Sequence, residues 1–269
     1  MPKPEGLRLI VIGPGRAGGA LALAAADAGH LIVGVLSRQP GQVFGPDRDW
    51  DRSLPEADIA LITVKDEAIP EVVSRLEGRL GNVAVAAHVS GFVPTTVLNP
   101  LQQEGVAVGG FHPLQSLPDP ERGARALAGS FAGIGGDPLA IDALTHLAGS
   151  LGMTPFRLDD AARPAYHAAA AAASNFVVTA LAVSSDLYQS VGVDPAVARP
   201  LVERAMANAF EGGPASALTG PISRGDIETV IGHLTAARDV SDELGRQFSL
   251  MAEATAIRAG REDDLRRWK

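Results

Sequence analysis

The sequence predicts an α/β chain in which a mostly parallel sheet with flanking helices is followed by an all-helical domain. Three observations predict it. Short apolar runs alternate with helical stretches from Leu7 to about Leu158. A glycine-rich turn, Gly13-Pro14-Gly15-Arg16-Ala17-Gly18, stands between the first apolar run and the first helix. Beyond Asp159 no convincing strand pattern appears, and the chain reads as successive helices. The expected division is a dinucleotide-binding, Rossmann-like domain over residues 1–158 and a helical substrate and dimerisation domain over 159–269.

The glycine turn is the strongest motif. A GxGxxG pattern is informative when it follows a strand and opens a helix, which is its setting here. Gly13 permits the tight turn, Gly15 lets the backbone approach a pyrophosphate, and Gly18 lets the helix pack closely on the strand. Pro14, Arg16 and Ala17 complete the turn. The helix N-terminus offers free N–H groups and a partial positive charge to phosphate, and Arg16 adds to it.

The second strand, Leu31 to Leu36, ends at Ser37 and Arg38. An NAD site usually places an acidic residue there, about 20 residues past the glycines, to hold the ribose 2′-hydroxyl. None is present. A hydroxyl followed by arginine suits a 2′-phosphate, which predicts NADP as the cofactor. Residues 39–56 read as a loop. Ala57 to Val64 forms the third strand, and Lys65-Asp66-Glu67 opens a helix running to about Leu76. Ligands of open α/β sheets gather at the carboxyl ends of strands, so Thr63, Val64 and Lys65 are expected at the nicotinamide half of the cofactor. Lys65 is either catalytic or an ordinary surface lysine.

Val83 to His88 is the fourth strand, ending at Ser90-Gly91, and Val106 to Phe111 is the fifth, ending at His112-Pro113. Ser90 and His112 thus fall on the cofactor side, where a hydroxyl and an imidazole can bind a carbonyl or supply a proton. His112 alternatively anchors its loop. Pro113 to Arg125 reads as a turn-rich loop and Ser130 to Gly135 as a further strand. Asp137-Pro138 looks like a helix cap, and Thr154 to Leu158 a last strand.

In the C-terminal half, Asp160 to about Val191 reads as one long helix, Ala-rich and buried. A second follows to about Glu211, kinked at Pro200. Ala217 to Arg224 is a loop. Asp226 caps a third helix, and Arg238 to Gly260 forms a fourth. The charged tail, Arg261 to Lys269, is expected to be frayed or exposed. On the long helix, His167 and Asn175 are candidates to look into a cleft between the domains, although a buried histidine is often only a satisfied core residue. Asn208, Arg224, Asp226 and His233 are weaker candidates.

Composition excludes several classes. The 269-residue chain carries a net charge of -8, which gives no electrostatic support to nucleic-acid binding. It has no cysteine, so disulfides, thiolate metal sites and cysteine nucleophiles are excluded. Its six histidines lack clustered carboxylates at ligand spacing, so no metal is expected. The N-terminus lacks a signal-peptide pattern, and Ala165 to Ser185 is too weakly apolar to be a convincing membrane span. A cytoplasmic protein is the expectation.

Five stretches carry a family resemblance: GPGRAG at Gly13, HVSG at His88, FHPLQS at Phe111, YHAAAAAASNF at Tyr166 and ALTGPISRGD at Ala217. The chain resembles a two-domain bacterial family with a Rossmann-like N-terminal half and a C-terminal half catalogued as a domain of unknown function. The wider group looks like reductases with 6-phosphogluconate-dehydrogenase-like helical domains. It includes ketopantoate reductase, pyrroline-5-carboxylate reductase, 3-hydroxyisobutyrate dehydrogenase and prephenate dehydrogenase. Some members of the family itself are reported as an alternative ketopantoate reductase. Ser90 and His112-Pro113 are similar to the Ser and His-Pro elements of prephenate dehydrogenases. Hydroxyacid dehydrogenases carry a catalytic lysine four residues before an asparagine on the first long helix. Here Ala171 stands four before Asn175, so either His167 takes that role or the chemistry differs.

The resemblance and the residues together imply an NADP-dependent reductase of a small carbonyl substrate, similar to a ketopantoate-like 2-oxo acid. His112 or His167 would give the proton, with Ser90 and Asn175 orienting the acceptor. The alternatives are an imine reductase of pyrroline-5-carboxylate type and a non-catalytic NADP-binding sensor. A homodimer through the Ala-rich helices is the expected assembly.

Overall fold

The structure is a computed structural model, describing residues 6–37, 44–48, 50 and 54–268. It divides into two compact units, Met1–Ala171 and Ala172–Lys269.

The first unit is built on a seven-stranded sheet of order β2-β1-β3-β4-β5-β6-β7. The strands are β1 (Arg8–Ile12), β2 (Leu31–Leu36), β3 (Ala57–Ile62), β4 (Val83–His88), β5 (Ala107–Leu114), β6 (Phe131–Gly136) and β7 (Thr154–Arg157). Strands β1 to β5 run parallel, β6 pairs antiparallel with β5, and β7 runs parallel to β6. Side chains alternate across a strand, and both faces of this sheet are covered, so β1 is apolar at every inner position. Leu9 and Val11 join α1 (Arg16–Asp27) on one face, and Ile10 and Ile12 join α2 (Ile69–Leu76) on the other. The chain order reverses at β1, so the carboxyl ends of β1 and its neighbours form the crevice where such sheets take ligands.

Three departures from the sequence reading bear on the site. First, β5 runs on to Leu114, so His112 and Pro113 lie within the strand, not past its end. The antiparallel partner β6 supplies the reason: His112 pairs with Gly133 and Pro113 with Ala132. Second, the expected loop before Arg125 contains α4 (Pro120–Leu127), which follows α3 (Asn99–Gln103) in the chain. The Asp119 side chain caps α4 by accepting from the Arg122 amide at 2.8 Å. Third, Asp137 does not cap α5 (Pro138–Ser150) with its side chain. It accepts instead from the Val108 amide, at 2.8 Å, and from Gln102. A carboxylate beside a helix start therefore ties that helix to β5 and α3.

The helical run Asp160–Ser190 continues out of the sheet. Its first part, α6 (Arg163–Ala171), belongs to the first unit, which therefore extends past the strand at which the domain boundary was expected.

In the second unit a π-helical turn at Ala172–Phe176 leads into α7 (Val177–Ser190), and α8 (Arg199–Gly212) follows. Pro200 lies in the first turn of α8, at the junction with a 3₁₀ turn over Pro195–Ala198, so it starts the helix and does not kink it. The expected loop at Ala217–Arg224 contains a short helix, Pro221–Arg224. Asp226 makes no side-chain cap; its carboxylate is held by Arg224. Ser241 separates the last two long helices, Ile227–Val240 and Asp242–Arg258, where one boundary near Arg238 was expected. The tail is mostly exposed, one of the two expectations, but it is ordered: Glu262–Arg267 is a 3₁₀ turn that sets Trp268 into a cluster with Val230, Leu234, Ala252 and Ala256.

The long helix is not the buried one expected. By length and composition Asp160–Ser190 would suffice to cross a membrane, and only 6% of its apolar window is buried. Phe176 and Val178 stand open to solvent, and α8 buries no residue at all.

Candidate active site

The glycine turn has the shape its sequence predicts. Gly13 takes φ +90°, a conformation L side chains rarely adopt, and a Cβ there would lie 2.6 Å from Val64 Cγ1. At Gly18 a Cβ would overlap the Thr63 hydroxyl. Gly15 differs, since a Cβ there would meet nothing within 4 Å. Gly13 and Gly18 are thus required by the turn's own packing, whereas Gly15 opens onto free space. Gly15 is also the N-cap of α1, with no side-chain cap and no acidic residue in the first turn. Helices leave their first N–H groups unpaired, so this end can meet an anion. Arg16 is exposed at the same turn and Pro14 is buried beneath it.

Thr63 has a structural task in the turn. Its hydroxyl lies 2.7 Å from the Gly13 carbonyl and 3.0 Å from that of Ile12, pinning the glycine turn to β3. Val64 packs against Gly13, and Lys65 is exposed beside it. The Ser37 carbonyl accepts from the Trp50 indole at 3.2 Å. Arg38 lies outside the described residues.

At the carboxyl ends of β4 and β5 an aromatic and imidazole cluster forms. His112 Nδ1 lies 2.7 Å from the Tyr166 hydroxyl. The His112 and His167 rings meet edge to face with centroids 5.8 Å apart. Phe156 of β7 backs Tyr166 at 5.7 Å, and the exposed Phe92 ring stands 6.3 Å from His167. Gly91 lies between the histidines: a Cβ on it would be 2.7 Å from His167 Nδ1 and 2.8 Å from His112 Nε2. Both imidazoles therefore close on a backbone position that tolerates no side chain. Burial, then the neighbouring His167 and Arg163, lowers His112 to about 4. Burial raises the Tyr166 phenol to about 12. Both groups are uncharged at neutral pH.

Ser90 is buried at the end of β4. Its Oγ accepts from the Phe92 and Val93 amides at 3.1 and 2.9 Å, so it shapes the turn around Gly91, with its hydroxyl proton left to donate. His88, two residues earlier and the last residue of β4, is fully buried, and burial followed by the Arg163 charge lowers it to about 4. It faces the interior and is no part of the open site. In the second unit, Asn175 is exposed within the π-helical turn, and its side-chain oxygen lies 3.3 Å from the Ser174 hydroxyl.

Three participants escaped the sequence reading: Tyr166, Arg163 and Asp160. Tyr166 falls one residue before His167 and three after Arg163, so a helix facing the sheet with His167 also presents the other two. That spacing was the available signal. Among the described residues no group of three or more histidines and acids could hold a metal ion.

This combination of a switch-point sheet, glycine turn and helical second unit matches known domains. Residues 2–113 match the Rossmann-like domain, and residues 130–255 match DUF2520, a domain of unknown function. The chain therefore carries a Rossmann-like N-terminal domain followed by a DUF2520 C-terminal domain. No curated protein matches it. Among solved structures, a Bacteroides fragilis protein provisionally assigned as an NADP oxidoreductase is similar at 23% identity, with a TM-score of 0.81 over 94% of this chain and 99% of its own. The Plasmodium falciparum pyrroline carboxylate reductase, solved with NADP bound, is similar at 12% identity, TM-score 0.64, over 95% and 99% of the two chains. A Streptomyces aurantiacus imine reductase gives 17% identity, TM-score 0.66, over 96% and 99%. These likenesses are of fold.

Proposed function

We propose that the chain is an NADP-dependent oxidoreductase acting on a C=O or C=N bond of a small substrate. One observation carries this reading. The uncapped end of α1 at Gly15 and the His112–Tyr166–His167 cluster both lie at the carboxyl edge of the same parallel strands. The residues fit the cofactor: Gly13 to Gly18 form the cradle, Gly15 leaves it open, and Ser37 with Arg38 suits a 2′-phosphate. When bound, the nicotinamide supplies or accepts the hydride at its C4. Fold relatives that handle NADP support the choice of cofactor.

For a ketopantoate-like 2-oxo acid, the neutral His112 imidazole acts as a hydrogen-bond donor to the carbonyl oxygen. His167 stands beside it as the second proton-carrying group, and Ser90 orients the acceptor. An imine substrate is the second reading, favoured by the uncharged state of His112 and Tyr166. A protonated imine brings its own proton and needs only a hydride, and the exposed ring face of Phe92 suits a cation. Relatives that reduce imines support this reading equally.

The assembly belongs to the same proposal. The apolar surface of α7 and α8 suits a second copy of the chain better than solvent.

The test is a titration with NADPH and NADH followed by nicotinamide absorbance over a panel of 2-oxo acids and cyclic imines. Tight NADPH binding with turnover of either class is expected, and the class turned over decides between the readings. Binding without any oxidation would leave the sensor alternative standing. Arg38→Asp is expected to weaken NADPH binding more than NADH binding; equal losses would remove the 2′-phosphate assignment.

A further inference from the structure

Among the described residues Arg163 is the largest fully buried side chain, at 0% exposure. Its Nε bonds Asp160 Oδ1 at 2.8 Å, and its Nη1 donates to the Ser90 carbonyl at 3.0 Å. Asp160 Oδ2 in turn accepts from both the amide and the hydroxyl of Thr95, each at 2.8 Å. The guanidinium occupies space left by the missing side chain of Gly110 on β5, where a Cβ would overlap Nη2. One cation thus joins the end of β4, the turn after it, the backbone of β5 and the first turn of α6. Burying an arginine is costly unless it is paired and hydrogen-bonded, so a sequence that keeps one here gains placement from it.

The placement concerns the site. Tyr166 and His167 follow Arg163 by three and four residues, on one face of α6. Ser90 precedes Gly91, the backbone against which His112 and His167 both rest. Fixing Arg163 to the Ser90 carbonyl sets the axial position and rotation of α6 relative to β4 and β5. We propose that Arg163, through Asp160 and Ser90, is a positioning residue that sets the Tyr166 hydroxyl on His112 Nδ1 and His167 beside Gly91.

The charge has a second consequence in the same direction. The ionisable groups around His112 are Arg163, His167, Tyr166 and, one strand away, His88 with Asp160. Arg163 disfavours a second positive charge on either His88 or His112. Position and charge are separable, because a lysine keeps the cation but cannot bond Asp160 and the Ser90 carbonyl through a planar fork.

The experiment is ring-nitrogen NMR of the histidines in the full chain, which reads His112 directly and does not depend on the hydride reading. In the parent protein, Tyr166→Phe should shift the His112 Nδ1 resonance, which identifies the bond. In Arg163→Lys that Tyr166-dependent shift should be lost while His112 still titrates well below 6. In Arg163→Met the shift should be lost and the His112 midpoint should rise. Asp160→Asn, which keeps an acceptor for Thr95, should weaken the shift without abolishing folding, and it serves if Arg163→Met fails to fold. Circular dichroism and cooperative melting establish that each variant is folded. A folded Arg163→Lys or Asp160→Asn that retains the full Tyr166-dependent shift of His112 would overturn the proposal.

Discussion

The Tyr166 hydroxyl lies 2.7 Å from Nδ1 of His112, joining a helix to the fifth strand of a sheet whose glycine turn is nearly a hundred residues away in sequence. A phenol raised to about 12 and an imidazole lowered to about 4 share one hydrogen between two neutral groups. That bond fixes which nitrogen of His112 turns towards Gly91 and the open edge. Tyr166→Phe keeps the ring that packs on Phe156 and removes only this bond. Turnover is expected to fall on the order of 10²-fold, the scale of a mispositioned acid–base group, with NADPH affinity unchanged. Steady-state kinetics beside a cofactor titration check it. A parallel loss of cofactor affinity would place Tyr166 in the binding machinery instead.

The three glycines of the turn should behave differently. Gly15→Ala meets open space and costs at most about 1 kcal/mol, from the poorer helix cap. It should nevertheless reduce NADPH affinity at least about tenfold, since the added methyl occupies the anion's approach. Gly13→Ala forces a side chain at φ +90° against Val64 and should cost roughly 1–3 kcal/mol of stability. Denaturant melts and NADPH titrations on both variants separate the roles. If Gly15→Ala binds NADPH as the parent does, the cradle lies elsewhere.

How much of this was legible in sequence follows from what each residue answers to. The strands β2 and β4 were readable to the residue because they are buried on both faces, so their apolar runs have sharp ends. The end of β5 was not, because its continuation depends on β6, a partner that runs antiparallel and lies about 20 residues further on. The D-P pair was read as a cap at Asp137, where the carboxylate is drawn away to Val108, and passed over at Asp119, where it does cap. Local chemistry was identical in the two places, and tertiary partners decided between them. In the candidate site, His112, His167 and the glycines were singled out by type and position. Arg163 was not, because a buried arginine and an exposed one look alike until Gly110 is seen to vacate its space.

Stability should depend on pH between about 6.5 and 4. His88 and His112 are lowered from 6.5 to about 4 in the folded chain, so the unfolded chain binds more protons in that interval. Stability is therefore complete above the unfolded value and lost as pH falls towards the folded one, by an upper bound of roughly 3 kcal/mol for each histidine. Asp160, held below its usual range mainly by its bonds to Thr95 and Arg163 against the opposing effect of burial, loses its contribution only at still lower pH. Urea melts at pH 7, 5.5 and 4.5 should show the decline. His88→Leu, which removes one of the two groups from the interior, should flatten it by about half. An unchanged slope in that variant would mean that His88 is not held neutral.

The second unit makes a prediction about assembly. Along α8, Leu201 is 67% exposed and Phe210 86%, and Val178 on α7 is 65% exposed. A helix of 14 residues with none buried has little packing to hold it, although tertiary contacts supply most helical stability in water. A second copy of the chain would provide that packing. Light scattering of the purified chain is expected to give twice the monomer mass at micromolar concentration. Leu201→Glu, placed on the surface where a monomer would tolerate it within about 0.5 kcal/mol, should shift the mass towards the monomer and lower the melting temperature together. A monomeric parent with an unaffected Leu201→Glu variant would show that α8 stands alone in solution. An assembly that forms only with detergent or lipid would assign the apolar surface to a membrane, which the length and hydropathy of Asp160–Ser190 would accommodate.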